Sequence, residues 1–451
     1  KVFHNQNILG TGRNDFNSDF DAVLWPRLRQ KLCPSGVPNL SLGPAMFRLG
    51  RVEFGLASNA TATRDPKRSA SNTKRMVDYF YNGGFGYTVF IDGKDTSNTL
   101  LYAPIWKCAN NQIHSYLRRL SNRRADGSIR LPSVATGNEN DTYIENMKIS
   151  RLNYLFHEQL DRSRRVKNGK KSYDDDFYFT FNETKRGKPC VFTVIRDPIS
   201  HFLSGYNEVE YRLITGNGGN APPLSDLDSM PSYTKIPYNE SSRGREERFE
   251  LFVKNLLKEH PSFATFGFYQ HFASMSRMLP TLHKLDLLPT LERSSPHWFV
   301  PTLENLTEAF PAFLSQRCPR LAAHYHRNQQ ETIKSKNLSE GNGVGGVDKL
   351  PPMAIMGRHK SSKDEYGTYQ AAKTVWNAGG SVARALCILH ALDYACFDAN
   401  INSKDNGDGV RESTRERSYS DRSGRQPLPG IEIPIVCRDV YASHSFLDEI
   451  L

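Results

Sequence analysis

CVFTVIRDPISHFLSGY, residues 190–206, is the signature of a strand that hands over to a helix. Val191 to Ile195 is an apolar, β-branched run of the kind that fills a buried strand. It stops at Arg196-Asp197-Pro198, where proline ends strand pairing and suits the first turn of a helix. An amphipathic helical pattern follows, and Ser204 lies eight residues after Arg196. Eight helical residues are a little over two turns. A planar guanidinium at the strand end and a hydroxyl on the helix can therefore converge on one small anion, and phosphate fits that pair.

The same strand-then-helix pattern recurs upstream. Thr99 to Trp106 (TLLYAPIW) reads as a buried strand that runs through Lys107 into Asn110–Leu120, where Ile113, Tyr116, Leu117 and Leu120 recur at helical spacing. Tyr79 to Ile91 reads as a hairpin turning at Asn82-Gly83-Gly84, and Phe177 to Phe181 as another short strand. Alternating strands and helices predict a parallel sheet with crossover helices. The second half is helical in pattern over Glu246–Glu259, Leu303–Leu314, Leu321–Lys334 and Val382–Phe397, and Ile431 to Val436 reads as a late strand.

Composition narrows the partners. The 451 residues carry 59 Lys and Arg against 48 Asp and Glu, a net charge of +11, which favours an anionic ligand. Between Arg118 and Lys188 stand sixteen basic and ten acidic residues, a local excess of six. No basic run is regularly interleaved with aromatics, which speaks against nucleic acid as the partner. The seven cysteines form no CxxC pair and no Cys/His ladder, so no metal is expected. Seven N-x-S/T sequons, at Asn39, Asn59, Asn140, Asn182, Asn239, Asn305 and Asn337, lean towards the secretory pathway. No apolar run approaches the roughly 20 residues that span a bilayer. Since Lys1 opens the sequence, a membrane anchor is expected to precede it.

Two junctions carry chemistry. At PIWKCANNQI, Lys107 stands at a strand end, just before Cys108, Ala109, Asn110 and Asn111 and a helix start. That order gathers backbone amides, amide side chains and one ammonium around an anion. The second junction is Arg196 with Ser204. On neighbouring strands the two would hold a ligand with phosphates at both ends. The chain lacks G-x-x-x-x-G-K-[ST], and Gly341–Gly346 (GNGVGG) has no strand before it and no lysine in register, so a loop is expected there.

On these motifs the chain resembles the Golgi-type carbohydrate sulfotransferases, which use 3′-phosphoadenosine 5′-phosphosulfate (PAPS). The Lys107 loop looks like the family's 5′-phosphosulfate loop, and Arg196 with Ser204 looks like its 3′-phosphate pair. FVPTLENLTEAFPAFL (Phe299–Leu314) and ALDYACFD (Ala391–Asp398) resemble the membrane-bound carbohydrate branch, so the likeness runs from Leu100 to Asp398. One departure stands out: the family loop usually has Gly and Thr or Ser after its lysine, where this chain has Cys108-Ala109-Asn110-Asn111.

The resemblance implies in-line transfer of a sulfuryl group to a glycan hydroxyl, with Lys107 meeting the charge that grows on the leaving phosphate. His157 in NYLFHEQL leads the candidate general bases, with Glu158 second and His114 third. His359 is a candidate for the nucleotide. The implied fold is α/β: a P-loop-like three-layer sandwich with a central parallel sheet, insertions and a helical C-terminal half. The expected organisation is an N-terminal stem-like extension and linker (1–75), the catalytic domain (76–398), a polar disordered segment (399–430) and a C-terminal tail (431–451). The expected location is the Golgi lumen, as a type II membrane protein. Two rivals stay open: a nucleotide or small-molecule kinase on a similar sheet, and a non-catalytic basic protein that binds glycan or nucleic acid.

Overall fold

The computed structural model of the chain describes residues 20–34, 38–56, 87–91, 100–103, 105, 108–120, 142–147, 190–215, 233, 238–259, 275, 297–299, 306–318, 364–397 and 431–451. The expected strand at Phe177–Phe181, the helix at Leu321–Lys334, the GNGVGG loop and the segment 399–430 lie outside these residues. In chain order the elements are α1 (Trp25–Leu32), α2 (Gly43–Glu53), β1 (Tyr87–Ile91), β2 (Leu100–Ala103) and α3 (Asn110–Leu120). Next come β3 (Thr142–Met147), β4 (Cys190–Val194), α4 (Pro198–Thr215), α5 (Ser242–Glu259), β5 (His297–Phe299) and α6 (Leu306–Arg317). The chain closes with α7 (Thr368–Asn377), α8 (Ser381–Leu389), α9 (Ala391–Phe397), α10 (Ile435–Tyr441) and α11 (His444–Ile450).

The described residues are mostly helical, with one five-stranded sheet of order β3-β1-β2-β4-β5. Two compact units divide the chain: Thr63–Asp226 with Thr265–Tyr369, and Lys1–Ala62 with Leu227–Ala264 and Gln370–Leu451.

The first unit holds the sheet. β2, β4 and β5 run parallel, as the strand-helix alternation predicts, but β1 pairs antiparallel with both β2 and β3, so the sheet is mixed. Of the expected hairpin at Tyr79–Ile91, Tyr87–Ile91 is described, as β1, and the rest lies outside the described residues. β4 is buried from Phe192 to Val194, residues of both strand faces, and so is Ile195 just after it, which is why the run does not alternate. In register, Tyr102 of β2 faces Phe192 of β4, and their rings stack at 5.0 Å. Phe310 and Phe313 of α6 pack on Phe192, and Tyr116 of α3 meets Phe310 at 5.8 Å. Of the helical stripe read from the sequence, Ile113, Tyr116 and Leu117 are buried, and the Leu120 side chain lies outside what is described.

The second unit is a helical assembly of the two chain ends. Residues 20–56 form a π-helical turn, α1 and α2, and residues 431–451 form α10 and α11. Trp25 stacks on Phe20 and on Tyr441, and the Tyr441 hydroxyl donates to the Cys387 carbonyl at 2.7 Å. Disulfides join Cys33 to Cys396 and Cys387 to Cys437. Arg384 forks onto Glu53 at 2.6 and 3.1 Å, and buried Arg51 donates to the Leu257 carbonyl at 2.6 Å.

Two expectations are corrected in this unit. The late strand at Ile431–Val436 is an extended lead into α10. Pro434 has no N–H for a ladder, and Cys437, Val440 and Tyr441 bury themselves at helical spacing. The single helix expected over Val382–Phe397 is two, α8 and α9. They break at buried His390, whose Nδ1 shares a 2.8 Å hydrogen bond with Asp393 Oδ2.

Candidate functional site

The parallel register decides where the two junctions lie. Leu100 to Ala103 pairs in step with Cys190 to Thr193, so the chain leaves β2 and β4 at the same end of the sheet. Both strands then lead into helices, α3 and α4. Carboxyl ends of parallel strands are where open α/β sheets take their ligands.

At the β4–α4 junction the local chemistry is capping. Pro198 opens the helix, where its missing N–H costs nothing. Asp197 just before it accepts from the Ser200 backbone N–H through Oδ1 at 2.6 Å, while its carbonyl accepts from the His201 N–H at 2.9 Å. Fixing α4 in this way fixes Ser204, and the Arg196 guanidinium donates from Nη1 to Ser204 Oγ at 2.7 Å. Both residues are half-buried. The sequence places Asp197 in the motif without a task, and its capping role is visible as an acidic residue before Pro at a helix start.

The rest of α4 is unusually polar inside. Glu208 and Glu210 are buried, and Glu208 forms an ion pair with Arg212 at 2.8 Å. Asn207, three residues beyond Ser204, accepts through Oδ1 from the Thr368 hydroxyl, and both residues are buried. Thr368 follows a tight turn in which Asp364 and Gly367 both take positive φ. No short sequence pattern links residues 161 apart, so this contact was not readable in advance.

At the β2–α3 junction, Cys108 is buried, with its Sγ 3.7 Å from Met275 Sδ. Ala109 sits in the left-handed region at φ 58°, and its carbonyl accepts the Ile113 N–H at 3.0 Å. Asn110 opens α3, and the buried Tyr102 hydroxyl donates to its Oδ1 at 2.5 Å. His114, the third candidate base, sits on α3 with its ring edge-on to Tyr102 at 5.4 Å. Asn111 is the second residue of α3. Lys107, His157, Glu158 and His359 lie outside the described residues.

The arrangement offers a cation with a hydroxyl at one junction and amide donors at the other, on adjacent strands. It suits a ligand with two anionic groups. Among the described residues there is no group of three or more side chains suited to a metal ion, and no helix long and apolar enough to cross a membrane.

Residues 90–339, which include both junctions, match the family model described as the sulfotransferase family. No curated protein and no solved structure matches the chain.

Proposed function

The chain belongs to the sulfotransferase family, that of the Golgi-type carbohydrate enzymes, and on that premise we propose that it transfers a sulfuryl group from PAPS to a glycan hydroxyl. The observation that carries the proposal is the 2.7 Å Arg196–Ser204 pair at the end of β4, beside the junction that follows β2. In this reading Arg196 and Ser204 hold the 3′-phosphate. Lys107 and the loop Cys108, Ala109, Asn110 and Asn111 hold the 5′ end.

The acceptor oxygen forms a bond to sulfur as the bond from sulfur to the 5′-phosphate oxygen breaks. The acceptor's proton passes to a general base, His157 or Glu158, and adenosine 3′,5′-bisphosphate leaves. Lys107 offsets the charge that develops on the leaving phosphate. The P-loop-like three-layer arrangement belongs to the same proposal; three parallel strands with helices following β2 and β4 support it. No metal is required.

The acceptor is an anionic or neutral glycan rather than nucleic acid, a choice supported by the net charge of +11 without a nucleic-acid motif. The proposed location is the Golgi lumen, as a type II membrane protein. Two described disulfides, with Cys318 also disulfide-bonded, support an oxidising compartment.

The test is label transfer from PAPS to a panel of glycans and small alcohols, run beside Arg196→Ala. The expected result is labelled glycan with the parent protein. The variant should lose about 2–3 kcal/mol of adenosine 3′,5′-bisphosphate affinity, the value of one charge-assisted pair. Affinity unchanged in that variant would refute the assignment. Mg²⁺-dependent binding of ATP in place of PAPS would point to a kinase instead.

A further inference from the structure

We propose that Tyr102 is a positioning residue for the donor's 5′ end, orienting the Asn110 amide so that its Nδ2 donates to the 5′-phosphate. This inference rests on the sulfotransferase reading and deepens it, by giving the atypical loop a working donor and a residue that aims it.

The Asn110 amide has one acceptor oxygen and one donor nitrogen, on opposite sides of the same carbon. A hydroxyl at that position could rotate to suit a ligand, but an amide must be turned the right way round. Tyr102 does this turning: its hydroxyl donates to Oδ1 at 2.5 Å, which leaves Nδ2 on the far side. Asn110 is half-buried, and among the described residues its Nδ2 has no hydrogen-bond partner.

The tyrosine is itself immobile. It is fully buried, stacked on Phe192 at 5.0 Å and edge-on to His114 at 5.4 Å. Ala109 adds to the case. A non-glycine residue at φ 58° persists only where its surroundings enforce the conformation. The turn that delivers Asn110 is therefore held by the structure around it, and Asn110 meets Tyr102 across eight residues of chain.

The experiment is calorimetry on the full chain with two probes, adenosine 3′,5′-bisphosphate and adenosine 3′-monophosphate. Tyr102→Phe keeps the ring and both ring contacts, and removes the hydroxyl alone. Tyr102→Phe and Asn110→Ala should each weaken the bisphosphate about five- to tenfold. The double variant should be no weaker than the worse single one, because the tyrosine acts through the asparagine. Binding of the 3′-monophosphate should be unchanged in all three.

Additive losses, equal losses for both probes, or no loss at all would overturn the inference. Should Tyr102→Phe lower the melting temperature, Asn110→Asp decides: it keeps an acceptor for Tyr102 but has no donor, and undiminished bisphosphate binding would overturn the inference. If the parent chain binds neither probe, or if Arg196→Ala leaves 3′-monophosphate binding intact, the sulfotransferase reading falls as well. If Arg196 matters and Tyr102 does not, only this inference falls.

Discussion

Removing the Ser204 hydroxyl tests one end of the site at little structural cost. Ser204 lies inside α4, half-buried, and its oxygen accepts from Arg196 at 2.7 Å. Ser204→Ala deletes that acceptor and the hydroxyl's own proton, which in the proposed complex points to the 3′-phosphate. A hydrogen bond to a charged group contributes about 1.5–3 kcal/mol, so affinity for adenosine 3′,5′-bisphosphate should fall roughly 10- to 150-fold. The lower half of that range is expected, because a half-buried guanidinium can recover water when its partner leaves. Alanine favours a helix interior over serine by a few tenths of a kcal/mol, so the melting temperature should hold or rise slightly. Calorimetry supplies the affinity and a thermal melt supplies the control. Adenosine 5′-monophosphate, which has no 3′-phosphate, should bind the variant and the parent alike. Undiminished bisphosphate affinity, or an equal loss with the 5′-monophosphate, would refute the assignment of Ser204.

Two further outcomes follow from local geometry. At φ 58° Ala109 is in a region that β-branched side chains avoid. Ala109→Val should therefore lower stability by about 1–2 kcal/mol in a denaturant titration, while Ala109→Gly stays within about 1 kcal/mol of the parent. Complete burial, with the Asp393 charge second, raises Tyr441 well above the ordinary tyrosine range. Below the unfolded tyrosine's pKa, about 10, both states keep the proton and stability is unaffected; above it only the unfolded chain ionises, so stability falls by about 1.4 kcal/mol per pH unit. Tyr441→Phe should show a shallower decline between pH 10 and 11 than the parent in equilibrium unfolding. Parallel slopes would remove Tyr441 from the account.

Which parts were readable from the chain follows from the range of the forces involved. Apolar periodicity and capping act over a few residues, so the strand at Cys190–Val194, the helix start at Pro198 and the helix Asn110–Leu120 all stand where the sequence puts them. The Arg196–Ser204 bond belongs to the same class, since a strand end and two helical turns fix both partners. Ile431–Val436 misled because a short apolar run carries no period of its own. The helical spacing becomes visible only with Cys437, Val440 and Tyr441 included.

The remaining features depend on partners far along the chain. Nothing local makes β1 antiparallel to two neighbours or sets β2 parallel and in register beside β4, because backbone pairing is almost indifferent to side-chain identity. Yet that register brings the two candidate junctions to one end of the sheet. The Cys33–Cys396 disulfide spans 363 residues, and Thr368 reaches Asn207 across 161, contacts that only the folded backbone brings within bonding distance. The chain thus carried the chemistry of each junction in its local pattern. Their placement at one end of the sheet came from long-range strand pairing, which no short stretch of sequence encodes.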